Sequence, residues 1–235
     1  MPIEKGDFIK LKYTGEIEGN IFDTTDEETA KNAGIFNETA AYGPVIIHVG
    51  SGHVVEGLDE ALVGKEPGEE FEIDVPPEKA FGAHNETLVE SVPVTKFKEN
   101  PEIGTRVQLE GREGMVVNKI GRRVLVDFNH PLAGKTAHYT VTILEKVDSI
   151  EEQVQGLIKL YSQRDMDVTY VDGVLSITLP AGIQYDRRWL LWRGRVISDV
   201  FATIPSVQEI TLLENFKRPE KIEEATAPED IQAQE

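Results

Sequence analysis

The chain has 235 residues, 40% of them hydrophobic, and a formal charge of -18 from 24 Lys and Arg against 42 Asp and Glu. That apolar share supports a packed core, and the length suits one large domain or two to three smaller ones. The absence of cysteine excludes disulfides, iron–sulfur clusters, thiolate zinc sites and thiol catalysis, and the acidic balance argues against nucleic acid as a partner.

Met1 to Asp7 carries no apolar signal core. Ile9, Leu11 and Tyr13 then alternate with Lys10, Lys12 and Thr14, the period of a half-buried strand. Asp26 to Tyr42 is rich in Ala and Asn and open to a helical reading. The uncharged stretch Thr39 to Val55 is broken by Gly43, Pro44, Gly50 and Gly52, too short and too broken to cross a bilayer. No membrane partner and a cytoplasmic setting are expected. In Val54 to Leu62, Leu58, Ala61 and Leu62 share a helical face, with Gly64 as a C-terminal cap. Phe71, Ile73 and Val75 alternate with Glu72 and Asp74, and Ala137, Tyr139, Val141 and Ile143 alternate with His138, Thr140 and Thr142. One short helix among such strands predicts an α+β unit, a twisted antiparallel sheet wrapped around the helix.

Residues 84–128 read differently. Arg106–Leu109, Gly114–Lys119 and Arg122–Phe128 are short strand-like runs punctuated by Gly111, Gly114 and Gly121. Pro93 and Pro101 suit an irregular connection into a small inserted β module. Ser149 with Glu152 forms a capping-box pattern. A helical stripe of Ile150, Val154, Leu157, Ile158 and Tyr161 follows. Asp172-Gly173 between apolar runs is a hairpin signal. A second helix is predicted over Tyr185 to Thr203 and a last strand over Val207 to Leu213. From Lys217 the chain is polar with Pro219 and Pro228, predicting a disordered tail.

From pattern alone, Phe22, Val54, Leu58 and Tyr139 are core side chains, Tyr13 ends a strand, and Asp23 before Thr24-Thr25 is a turn former. The five histidines, at 48, 53, 84, 130 and 138, show no tight ligand spacing, so no metal is expected. His130 reads as a turn residue.

Taken in order, Tyr13-Thr14-Gly15, Phe22-Asp23, Gly50, Val54-Val55-Glu56-Gly57-Leu58 and Pro76-Pro77-Glu78-Lys79-Ala80-Phe81-Gly82 resemble the FKBP-type peptidyl-prolyl isomerases. Asp127-Phe128-Asn129-His130-Pro131-Leu132-Ala133-Gly134-Lys135 is similar to the motif with which SlyD-like members return to the FKBP domain after an insert-in-flap module. The extension after residue 149 resembles the long, two-part FKBPs of archaea. The resemblance implies a twisted antiparallel FKBP half-barrel around a short helix over 1–83 plus 129–148. It implies an inserted small β domain over 84–128 and a C-terminal α+β domain over 149–216, before the tail at 217–235. Leu58 stands where human-type members have tryptophan, Phe81 stands where tyrosine is usual, and a histidine-rich metal tail is absent.

The implied activity is cis/trans isomerisation of Xaa–Pro bonds, without cofactor, combined with chaperone action on unfolded or proline-containing polypeptides. The rival is a holdase that binds prolyl segments with little turnover. The resemblance assigns the pocket to Tyr13, Phe22, Asp23, Val54, Val55, Leu58, Phe81 and Tyr139, with Val45 as a further wall. It assigns client binding to the insert, where Val92, Val94, Phe97, Met115 and Val117, with Ile103 and Val116, offer an apolar face. The predicted C-terminal helix carries Trp189, Leu191, Trp192 and Phe201 beside Arg187, Arg188, Arg193 and Arg195. That composition suits either packing on its own hairpin or homodimerisation through residues 149–216.

Overall fold

The computed structural model describes residues 1–216; the tail predicted for 217–235 lies outside the described residues. Strand β1 (Phe8–Ile17) follows the predicted alternation and sends Ile9 and Leu11 fully into the core. Strand β2 (Asn20–Thr24) folds back on it after a turn in which Glu18 and Gly19 both have positive φ. Helix α1 (Glu27–Asn32) comes next, capped by Asp26, which accepts the Thr29 N–H at 2.8 Å. Strand β3 (Val45–His48) pairs with the first half of β1. Helix α2 (Glu56–Leu62) and strand β4 (Glu70–Val75) follow. Two short helices thus stand among the strands of this unit, one more than the pattern predicted. Val54 and Val55 precede α2 rather than belonging to it, and Val55 is its N-cap.

The chain then leaves this sheet for a second one, made by β5 (Val89–Pro93), β6 (Arg106–Leu109), β7 (Arg112–Ile120) and β8 (Arg123–Asp127), and returns as β9 (Ala137–Lys146). Strand β9 lies between β1 and β4, which completes a five-stranded antiparallel sheet. Leu58, Leu62, Tyr139, Val141 and Ile143 join Ile9 and Leu11 in its core. A fully buried side chain of this size stabilises by about 1.5–3 kcal/mol. Helix α2 sits close against β4 because residue 57 is glycine. A Cβ there would lie 2.5 Å from Val75 Cγ1.

The second sheet is antiparallel in the order β5-β8-β7-β6. Strand β5 was not foreseen. Its Pro93 pairs with Arg123 at the sheet edge, where a missing N–H is tolerated. The core of this sheet is four valines, 92, 116, 124 and 126.

Beyond residue 149 come α3 (Ile150–Ser162), β10 (Asp167–Val171), β11 (Val174–Leu179), α4 (Arg187–Thr203) and β12 (Glu209–Glu214). Ser149 caps α3 by accepting the Glu152 N–H. Asp172 and Gly173 both have positive φ, the requirement of a tight hairpin turn. Helix α4 starts later than Tyr185 because Ile183–Tyr185 forms a 3-10 turn and Asp186 is the cap, accepting N–H groups of Arg188 and Trp189 at 2.9 Å. Strand β12 is parallel to β11. This unit docks on β3. Phe8 and Val147 share a core with Leu157 and Trp189, and a Cβ on Gly156 of α3 would lie 2.5 Å from Ile46 Cβ. Among the described residues, no helix is long and apolar enough to cross a membrane.

Candidate active site: an aromatic pocket beside a β-bulge

The pairing of β1 with β2 slips between Gly15 and Glu16. Gly15 faces Asp23, Glu16 faces Ile21, and Phe22 is left without a partner. A bulged residue is re-aimed out of the ladder, and the Phe22 ring turns over β1 to meet two others. It stands edge-on to Tyr139 with centroids 5.8 Å apart and edge-on to Phe81 at 5.3 Å. Gly15 makes room for this. A Cβ there would lie 2.7 Å from Phe22 Cζ and 2.8 Å from Tyr139 Cε1. Tyr13, two residues back on β1, leans edge-on toward Tyr139 at 6.1 Å.

The opposite wall is the loop from Val49 to Val55, which runs into α2. Asp59, 8% exposed, reaches back from α2 and accepts the Gly50 N–H at 2.9 Å and the Gly52 N–H at 3.3 Å. With the loop fixed in this way, Val54 and Val55 face the rings and the buried Leu58 lies beneath them. All eight residues assigned by the resemblance line one cavity of about 570 Å³. Val45 does not; it lines a neighbouring cleft of about 730 Å³ that shares Tyr13, Phe22 and Asp23 with the cavity and runs between residues 30–46 and the C-terminal unit.

Four further lining residues were not assigned to the pocket from the sequence: Gly52, His53, His130 and Leu132. His130 does more than shape a turn. Its ring stacks on Phe81 with centroids 5.0 Å apart and planes 4° from parallel. The preceding residues clasp the two crossings between sheets. His84 Nε2 lies 2.8 Å from Asp127 Oδ2, Asn129 Oδ1 accepts the Asn85 N–H, and Asn129 Nδ2 donates to Asn85 O. Burial alone would raise the Asp127 pKa, but the Asn129 N–H and His84 outweigh it and hold the carboxyl below its usual range. The Asp127–Lys135 motif thus both ties the second sheet to the first and delivers His130 and Leu132 to the cavity.

The polar groups are few. The Tyr13 hydroxyl donates to Asp23 Oδ2 at 2.7 Å at the cavity rim. Burial, then the adjacent Asp23 charge and this bond, push the Tyr13 phenol far above its ordinary value. Burial and Asp23 push Tyr139 up to about 12. Both phenols therefore keep their protons at neutral pH, and the cavity combines neutral hydroxyls and apolar walls with the one Asp23 carboxylate. Among the described residues, no cluster of three or more His, Asp or Glu is placed to hold a metal ion.

The insert residues divide. Val92 and Val116 lie in the core of the second sheet, and Val94 and Phe97 pack partly against it. Met115 is half-buried, whereas Val117 is 43% and Ile103 62% exposed.

Comparison with known proteins identifies the family. Residues 1–144 match the family model described as FKBP-type peptidyl-prolyl cis-trans isomerase. The chain belongs to the FKBP family. This FKBP is similar to the short-type peptidyl-prolyl cis-trans isomerase of Methanocaldococcus jannaschii, at 35% identity over 60% of this chain and 92% of that protein. It is similar to the SlyD isomerase of Haemophilus influenzae, at 32% identity over 59% of this chain and 77% of that one. It also matches the SlyD isomerase of Treponema pallidum, at 30% identity over 63% and 86%. A second model, described as FKBP26_C-terminal, matches residues 150–217. The FKBP chain is thus a peptidyl-prolyl cis-trans isomerase carrying a C-terminal extension with a family model of its own.

Proposed function

We propose that the cavity between the β1–β2 bulge and the Val54–Val55 loop is where the prolyl bond turns. Resonance gives a peptide bond its rotation barrier of about 18–20 kcal/mol. The two Xaa–Pro isomers differ by only about 0.5–1 kcal/mol, so a catalyst needs only to lower the barrier. The planar amide carries charge on oxygen and nitrogen that the twisted one has lost. Walls of Phe22, Val54, Val55, Leu58 and Phe81 hold water off and favour the less polar twisted state. The observation that carries this reading is the convergence of the Phe22, Phe81 and Tyr139 rings on one cavity. Asp23 fixes the Tyr13 hydroxyl at the rim, and the family resemblance implies that the Val55 N–H is the backbone donor to the substrate.

The second sheet serves as the holding site for unfolded clients. Its support is the apolar surface it leaves in solvent: Ile103, Val117 and Ile120 are 62%, 43% and 63% exposed. Met115, Val94 and Phe97 lie partly open, and methionine is an adaptable contact. Val92 belongs to the core of the sheet and supports the face from behind. Captured chain near the cavity raises the local concentration of prolyl bonds. On α4, Leu191, Trp192 and Phe201 are 74%, 39% and 46% exposed, which supports self-association through the C-terminal unit. The cysteine-free, acidic composition fits a cytoplasmic setting.

The test is a titration of methyl-labelled protein with a short prolyl peptide, followed by NMR. Shifts at Val54, Val55 and Leu58 are expected. Shifts confined to the second sheet would show that the cavity does not take the substrate.

A further inference from the structure

One buried group in the cavity wall has no partner. Among the described residues, His53 Nε2 is the buried side-chain polar atom left without a hydrogen bond. The His53 side chain is 2% exposed. Its other nitrogen, Nδ1, accepts the His48 N–H at the end of β3, at 3.1 Å. A nitrogen that accepts carries no proton, so in the neutral ring the proton sits on Nε2. Nε2 faces Asp199 of α4, with Oδ2 at 3.7 Å. That is too long for a hydrogen bond but close enough for attraction between an N–H dipole and a carboxylate in a site closed to water.

Asp199 is itself 8% exposed and firmly placed. The Tyr161 hydroxyl of α3 donates to it, and so does Arg195 Nε, at 2.9 Å to Oδ1. The Tyr161 ring stands edge-on to His53 with centroids 5.9 Å apart. Burial holds the His53 pKa below its ordinary value and His48 adds to this, while Asp199 and Asp59 oppose it. The groups that act on the ring are therefore His48 and Asp59 from the pocket unit, and Tyr161 and Asp199 from the C-terminal unit, with Arg195 bonded to Asp199 behind it.

Burying an unpaired donor is costly, and an apolar side chain would fill this space without that cost. The position has a consequence for the site. His53 lines the cavity, and so do the next two residues, Val54 and Val55. Asp59 pins the start of this loop from within the pocket unit. The His53 ring links its later part to the C-terminal unit.

We propose that His53 is a positioning residue for the prolyl pocket and that Asp199 of the C-terminal unit holds it, so that docking of that unit sets the geometry of Val54 and Val55. The proposal rests on the cavity being the isomerase site. It makes the extension part of the catalytic unit rather than an appended body.

Full-length wild type, Asp199→Asn, His53→Leu and the double variant decide it. Asparagine keeps an acceptor for Tyr161 and removes the charge that His53 faces. In each single variant, kcat/KM toward a short prolyl peptide is expected to fall about five- to tenfold. The double variant is expected to be no worse than the poorer single, because both break one link. The methyl resonances of Val54 and Val55 are expected to move in Asp199→Asn, although the substitution lies in the other unit. Unmoved methyls, unchanged turnover or additive losses would overturn the proposal. If Asp199→Asn does not fold, Tyr161→Phe removes one of the bonds that place Asp199 and is read in the same way. A wild type that accelerates nothing would refute the isomerase site instead, and the methyl shifts would then decide the positioning role alone.

Discussion

The pocket unit and the second sheet are both built of strands and tight turns, yet they treat apolar side chains in opposite ways. Around the pocket, Phe22 stands edge-on to both Phe81 and Tyr139, and Leu58 lies 1% exposed beneath them. In the second sheet, four valines make the whole buried core, while Val117 and Ile120 point into solvent. Lowering a rotation barrier requires walls that do not yield when the substrate twists. Capturing varied unfolded chain calls for an adaptable surface, and elements with few buried contacts open most readily. In the proposed roles, the two regions would divide the labour of fixed geometry and adaptable contact.

Gly15→Ala is expected to strike the fixed side hardest. Its Cβ would sit 2.7 Å from Phe22 Cζ, and the ring must move. A displacement of about 1 Å in a positioned group can cost on the order of a hundredfold in rate. Peptide isomerisation is expected to fall by that order while amide spectra of residues 89–127 stay unchanged; full activity would show that the bulge does not shape the site. Deleting residues 84–128, with a short linker in their place, attacks the other side. Proline-limited refolding of a protein substrate is then expected to slow by about tenfold or more, set by lost effective concentration. Isomerisation of a short peptide is expected to fall far less. Equal losses in the two assays would remove the distinction between the regions.

Asp59→Ala tests the rigidity of the pocket more gently. It leaves the Gly50 and Gly52 N–H groups without their acceptor, and a loss of about 1–3 kcal/mol in unfolding free energy is expected. An unchanged denaturation midpoint would mean that the loop holds itself. The smallest effect is expected on the outer face of the first sheet. There the hydrogen bond with Asp74 raises the His138 pKa above its ordinary value. A raised histidine adds stability below its unfolded pKa of about 6.5, and that contribution is lost as pH rises through the folded value. Asp74→Asn is expected to bring the His138 NMR titration back down and leave peptide turnover alone. A titration that does not move would assign the shift to another neighbour.

What the sequence disclosed follows the range of the forces involved. Strands β1, β4 and β9 alternate because one face of their sheet is buried, and Ser149 and Asp172-Gly173 act on their own backbone, so these elements were legible. Strand β5 was not. It has five residues, ends in proline and owes its place to pairing with β8. The eight residues that line the cavity were assigned through family resemblance, because periodicity sees only core at Phe22 and Leu58. The bulge that turns Phe22 depends on register with β1, which no local pattern carries. His130 was read as a turn residue because its stacking on Phe81 joins segments on either side of the insert. The opposition of His53 and Asp199 crosses two units and leaves no trace in spacing.

The bulge-built aromatic cavity is proposed as the isomerase site. Its most direct test is exchange spectroscopy of a short Ala-Xaa-Pro peptide with full-length wild type, Phe22→Ala and Asp23→Ala. Line-broadening cis/trans exchange is expected with wild type, a loss of at least about tenfold with Phe22→Ala, and a smaller loss with Asp23→Ala. Undiminished exchange in a folded Phe22→Ala protein would contradict that assignment. No exchange with wild type would leave a prolyl-binding holdase in place of the enzyme.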